Sequence, residues 1–192
     1  MRIKFKSGLL VGTVILIFLT GCLTSEYKEY RFKVNRDGSG TGEIKYINIL
    51  SEKDEGEDVS YNDFGELIDD YLNGDIFEND NPYFNVIHKE LYEENNQLMG
   101  LVKFNFSSLD SSYFHIFKEC DCAPIMYYLG SLSETLEDTN GEYLGTNRDF
   151  PVILWDKNTS ELYFKTVVQD DLSETSSLLP LYNTWLESQE EE

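Results

Sequence analysis

Alternation between apolar and polar residues constrains this chain most. Tyr30, Phe32 and Val34 alternate with Arg31, Lys33 and Asn35, and after Asp37-Gly38-Ser39-Gly40 the pattern resumes at Gly42, Ile44 and Tyr46. A period of two is that of a half-buried strand, and a glycine-bearing turn between two such runs makes a hairpin. The pattern recurs. Tyr83–Tyr92 and Gln97–Phe106 flank Asn95-Asn96, with Val102, Phe104 and Phe106 on the core side and Lys103 and Asn105 outward. Pro151–Trp155 and Glu161–Val168 flank Lys157-Asn158-Thr159, giving a third expected hairpin, with Trp155 as a core aromatic. Tyr113–Phe117 reads as a short extra strand.

Between these runs the period changes to that of a helix. Phe64, Leu67, Ile68, Tyr71 and Leu72 share one face, with Ser60 as the expected N-cap, Gly74 as the stop, and Glu66, Asp69 and Asp70 on the solvated side. Pro124 at a first helical position, followed by Ile125, Tyr128, Leu129, Leu132 and Leu136, predicts a second helix to about Glu137. A third starts near Pro180, with Leu181, Tyr182, Trp185 and Leu186 on one face. The expected fold class is therefore α+β: about six antiparallel strands in three hairpins, with helices packed on one face.

The N-terminus sets the address. Arg2, Lys4 and Lys6 precede an apolar run, Leu9–Thr20, that is too short for the roughly 20 residues a spanning helix requires. It closes on Leu19-Thr20-Gly21-Cys22. This leader resembles that of bacterial prolipoproteins, whose lipobox ends in an obligatory cysteine. The resemblance covers the leader only. It implies cleavage by signal peptidase II between Gly21 and Cys22, and lipidation of Cys22 with two or three acyl chains, enough for stable anchoring. The expected organisation is a signal peptide over 1–21, a lipidated cysteine with a short tether over 22–29, one domain over 30–189 and an acidic tail over 190–192.

Charge narrows the partners. The leader carries three of the 15 bases and none of the 36 acids, so the mature chain has a net charge of −24. Nucleic acid is excluded as a partner on that account, while the 14% aromatic content argues for a packed domain over an acidic disordered polymer. Residues 22–46 are close to neutral and hold Lys28, Arg31 and Lys33, so the first hairpin is the part expected to face lipid.

Sites of chemistry are few. Asn35, Asp37 and Ser39 before Gly40 resemble the opening of a calcium loop, but position 46, where a bidentate acid should close it, is Tyr46. The turn needs only its glycines. Cys120-Asp121-Cys122 admits a local disulfide, free thiols, or a metal site with His115. No motif for a hydrolytic nucleophile, a zinc peptidase or a phosphate loop is present, and no cofactor is expected. The sequence thus predicts a lipid-anchored cell-envelope protein that binds an envelope protein or glycan. A cation-binding protein and an envelope hydrolase with a non-standard site are the alternatives.

Overall fold

The computed structural model describes residues 22–117, 124–145 and 151–190. The leader, Cys120 and Cys122 lie outside them. The fold is β-rich and antiparallel, with eleven strands among the described residues.

The first hairpin forms as expected but is far longer. Strand β1 (Leu23–Val34) pairs along its length with β2 (Gly40–Glu52). The tether expected over 22–29 is therefore not a tether. Leu23, Thr24 and Ser25 pair with Ser51, Leu50 and Ile49, and the Cys22 carbonyl accepts from Glu52 N at 2.8 Å. The reason is parity: near Glu26 and Asn48 the inward positions shift from even to odd. Tyr30 and Ile44 face inward on one side of the shift, Ser25 and Ile49 on the other. Asn48 takes a left-handed φ of 57° there, and its Nδ2 donates to Glu26 Oε2 at 2.8 Å. A strict period of two breaks at this kink, which is why the alternation stops short of the strand's true start.

The second hairpin joins this sheet. Strands β3 (Phe84–Glu94) and β4 (Gln97–Phe106) turn at Asn95 and Asn96, both left-handed, and β4 pairs with β2. Gly40 and Gly42 lie opposite Phe106 and Phe104. A Cβ on Gly42 would clash with the Phe104 ring, so the missing side chain is what lets the ring lie across the sheet.

The later elements depart from the expected pattern. The short strand expected over Tyr113–Phe117 forms as β5 (Phe114–Ile116), but the helix expected over 124–137 is instead β6 (Ile125–Tyr128), which pairs with β5, a 3-10 turn at Leu129–Ser131, and β7 (Thr135–Thr139). Ile125 and Tyr127 are both buried, a strand's alternation that outweighs the helical spacing of Ile125, Leu129 and Leu132. After β8 (Glu142–Tyr143), strands β9 (Val152–Trp155) and β10 (Glu161–Val167) form where expected but do not pair as a hairpin. Strand β9 pairs with β6 and β8, whereas β10 pairs with β1 and β7. Consecutive strands thus belong to different sheets. A seven-stranded sheet runs β3-β4-β2-β1-β10-β7, with β11 (Thr175–Ser177) on the far end of β2, and a four-stranded sheet runs β5-β6-β9-β8.

The two sheets close on an aromatic core. Phe164 stacks on Tyr30 at 4.4 Å, Phe104 stacks on Phe84 at 3.9 Å, and Phe114 of the small sheet meets Phe32 edge-on at 4.8 Å. Trp155 is buried, with its Nε1 donating to Asn140 Oδ1 at 2.7 Å. Beyond Tyr46 the same sheet is covered by helices. Helix α1 (Ser60–Glu66), its π-helical continuation (Leu67–Leu72) and α3 (Leu179–Glu190) share a second, mainly aliphatic cluster with Ile49 and Leu98, while the short α2 (Ile76–Asp80) contributes Phe77 to the aromatic one. Ser60 lies inside the first turn of α1 and is not its cap. Its N–H is instead received by Asp58 Oδ1 at 3.0 Å. Asp63, one turn on, is buried and accepts from Ser51 Oγ at 2.6 Å.

Candidate functional site

The seam between the two covers is where chemistry collects. Extending the inward positions Val34, Phe32 and Tyr30 back by two residues reaches Lys28, which is therefore aimed into the fold and not at a lipid surface. Its Nζ meets Glu134 Oε1 at 2.9 Å, and it stands 5.4 Å over the Tyr46 ring. Glu134 is delivered by the turn between Leu129–Ser131 and β7, where Ser133 holds a left-handed φ of 52°.

The Glu134 carboxylate is 4% exposed, and Lys28 is 24% exposed. Tyr30 donates to Glu134 Oε2 at 3.0 Å and Thr166 Oγ1 donates to the same oxygen at 2.6 Å. Three donors from two neighbouring strands thus converge on one carboxylate. A buried charge is tolerated only when paired and hydrogen-bonded in this way. Burial first, then the nearby Glu134 charge, push the Tyr30 hydroxyl far above its ordinary pKa. Tyr46 and Tyr127 move the same way for the same two reasons. All three are neutral at physiological pH.

Two clefts flank this cluster, and Lys28, Tyr46 and Phe77 line both. The sandwich-side cleft has a volume of about 310 Å³, with Tyr30, Phe84, Tyr127 and Glu134 in its walls. The helix-side cleft, about 260 Å³, is walled by Ile49, Leu67, Leu72, Leu91 and Val102. Ser25 also lines it, and Ser25 Oγ is buried without a hydrogen-bond partner. Lys89, on the same cleft, is held by the Gly74 carbonyl at 2.5 Å and by Glu78 at 3.0 Å.

No protein-family model, curated protein or solved structure matches this chain.

The residues singled out from the sequence are scattered. Cys22 is half-buried at the start of β1, where burial first and then the charges of Asp63, Asp54, Glu52 and Glu66 push its thiol above the ordinary range. Arg31 lies on the outer face, stacked on Tyr163 at 4.4 Å and within 3.9 Å of Glu29, Glu43 and Glu161. Lys33 is exposed near the hairpin tip. Asp37 accepts from Ser39 N at 3.1 Å and Ser39 Oγ at 2.7 Å, bonds that stabilise the turn and hold its carboxyl below the usual range. His115 is exposed on β5, edge-on to Phe117 at 5.9 Å. Among the described residues no three His, Cys, Asp or Glu side chains are grouped to hold a metal ion. The structure brings none of Asp37, His115 and Cys22 together.

Sequence reasoning missed Glu134 and Ser25. Nothing distinguishes Glu134 among 36 acids. Lys28 did carry a signal, as a lysine on the inward register of an otherwise aromatic strand, which requires a buried anion opposite it.

Proposed function

We propose that this is a lipid-anchored protein of the bacterial cell envelope that works as a binding module and not as an enzyme, receiving its partner at the seam clefts. The lipobox-like Leu19-Thr20-Gly21-Cys22 supports the anchor. No helix among the described residues is long and apolar enough to cross a membrane. Helices α1 and α3, sharing one cluster against the larger sheet, support reading the domain as α+β.

One observation carries the binding reading: the carboxylate in the seam is buried and held on both oxygens by three donors from the protein itself. Glu134 accepts from Lys28, Tyr30 and Thr166 at 2.6–3.0 Å. A general base must be aimed at a substrate proton, whereas these bonds turn both Glu134 oxygens toward the protein's own strands. The ion pair then rigidifies the walls of two clefts, as a preformed binding site requires.

The strand supports a close anchorage. Because β1 begins at Leu23, the acylated residue joins the domain with no spacer, and the domain is held against the bilayer at that end. From Cys22 to Lys33 the extended chain covers roughly 35 Å, which weighs against the hairpin tip as the lipid-facing part.

The test has two arms. Metabolic labelling with palmitate should mark the wild-type protein and not Cys22→Ala. In-cell crosslinking of the full protein, with a photoreactive residue at Tyr113 on the rim of the sandwich-side cleft, should then capture one discrete envelope component. No palmitate incorporation would overturn the anchor. A labelled protein without a discrete crosslink would overturn binding at the seam.

A further inference from the structure

We propose that the helix-side cleft takes a neutral single-chain amphiphile, its chain against Leu67, Leu72 and Leu91 and its hydroxyl or carbonyl oxygen on Ser25 Oγ. The inference rests on the reading of the protein as a binding module and names the ligand class.

Three observations converge on it. The first is size and lining. An apolar cavity of about 150 Å³ is already large enough to hold benzene, and this cleft, at about 260 Å³, accommodates a longer aliphatic chain. The second is Ser25. It is 2% exposed, it lines the cleft, and its Oγ lacks a partner. A buried hydroxyl without a partner is destabilising, and a ligand oxygen would satisfy it.

The third is charge, which selects among amphiphiles. Lys28 and Lys89 are the cations on the cleft, and each is matched by its own carboxylate, Glu134 at 2.9 Å and Glu78 at 3.0 Å. Glu90 adds a further acid to the lining. Tyr46 and Tyr71, also on the wall, are held neutral by burial, which pushes both hydroxyls up. An anionic head would therefore enter with no uncommitted cation to receive it, against the field of an acidic protein. An alcohol, an ester or a monoacylglycerol meets no such penalty.

A pair of probes with matched chains tests this, 1-octanol against octanoate. The protein is the mature chain, residues 22–192, with Cys22→Ser so that it carries no acyl chain of its own; both hydrophobic clusters lie within it. Saturable shifts of the Leu72 and Leu91 methyl resonances report binding. Octanol is expected to saturate, with octanoate at least about tenfold weaker, since one uncompensated kcal-scale charge penalty is a factor of that order. Ser25→Ala should weaken octanol about fivefold, the value of one hydrogen bond, while raising the thermal midpoint of the unliganded protein. Leu91→Trp, checked for folding by circular dichroism, should abolish the shifts by filling the cleft.

Octanoate binding as tightly as octanol would overturn the proposal. So would an absence of saturable shifts, or a Ser25→Ala protein of unchanged affinity. If octanol binds Cys22→Ser but not the acylated protein, the occupant is the protein's own acyl chain and the free-ligand proposal fails. None of these results bears on palmitate incorporation, so the anchor stands or falls separately.

Discussion

The two halves of the large sheet are covered differently, and their interiors differ accordingly. Under the four-stranded sheet, aromatic rings stack and meet edge-on at 3.9–5.0 Å, and Phe104, Phe164, Ile153 and Leu162 are fully buried. Under α1 and α3 the lining is mainly aliphatic, and the cleft there carries an unpartnered serine. Both halves keep a cleft, about 310 Å³ on the sandwich side and about 260 Å³ on the helix side, so what differs is the packing around it: stacked, interlocking rings under the small sheet, and more loosely fitted aliphatic side chains under the short helices. The sandwich half is therefore read as the stabilising scaffold and the helix half as the adaptable one, with the Lys28–Glu134 pair as the boundary post.

That contrast can be broken most easily by truncation. Phe104→Ala is expected to cost about 4 kcal/mol, since it removes a fully buried ring and leaves a cavity between closed sheets. Leu72→Ala, at a partly buried position beside an existing cleft, should cost under about 2 kcal/mol. Chemical-denaturation midpoints measure both. Equal losses would show the helix half to be packed as tightly as the sandwich.

The boundary comes next. Glu134→Ala leaves the Lys28 ammonium unpaired and strips acceptors from Tyr30 and Thr166. A loss of about 3 kcal/mol is expected, the lower end for a broken buried pair because Lys28 is partly exposed. Adding Lys28→Met should restore most of it. If the double variant is no better than the single one, the carboxylate acts through Tyr30 and Thr166 alone.

Alkaline pH sharpens the comparison. Tyr30, Tyr46 and Tyr127 all have folded-state pKa values raised above the unfolded value near 10. Above that pH the unfolded chain loses protons that the folded one keeps, so stability is full below it and falls as pH rises, by about 1.4 kcal/mol per pH unit per tyrosine. Tyrosinate absorbance should therefore rise in two steps, exposed residues first and these three only on unfolding. Their titration with the exposed set, in a folded protein, would mean the seam admits water freely.

The smallest effect concerns the hairpin tip. Arg31→Glu with Lys33→Glu should leave membrane association of the acylated protein unchanged in flotation assays, because Arg31 is already ringed by three acids and both lie far along β1 from Cys22. Loss of association would restore the tip as a lipid-facing surface.

Legibility in the sequence followed the locality of the cause. The first two hairpins were readable because Tyr30–Val34, Gly42–Tyr46 and Val102–Phe106 alternate beside their own turns. The third was not, because Val152–Trp155 and Glu161–Val167 each alternate properly yet pair in separate sheets, and alternation does not name a partner strand. Ile125–Leu136 satisfied a helical spacing by coincidence, and only contact with β5 and β9 makes Ile125–Tyr128 a strand. The site was hidden for a similar reason. Glu134 acquires its role from Lys28 and Tyr30, more than a hundred positions away, and from Thr166, 32 away, and Ser25 from a parity shift that no local pattern displays.

The central claim is that the domain hangs directly from an acylated Cys22. Intact-mass spectrometry of the protein extracted from membranes of its native host tests it most directly. The account expects the mass of residues 22–192 increased by a diacylglyceryl group, with or without an N-acyl chain. A species that retains residues 1–21, or one that begins at residue 22 with a free thiol, would contradict it.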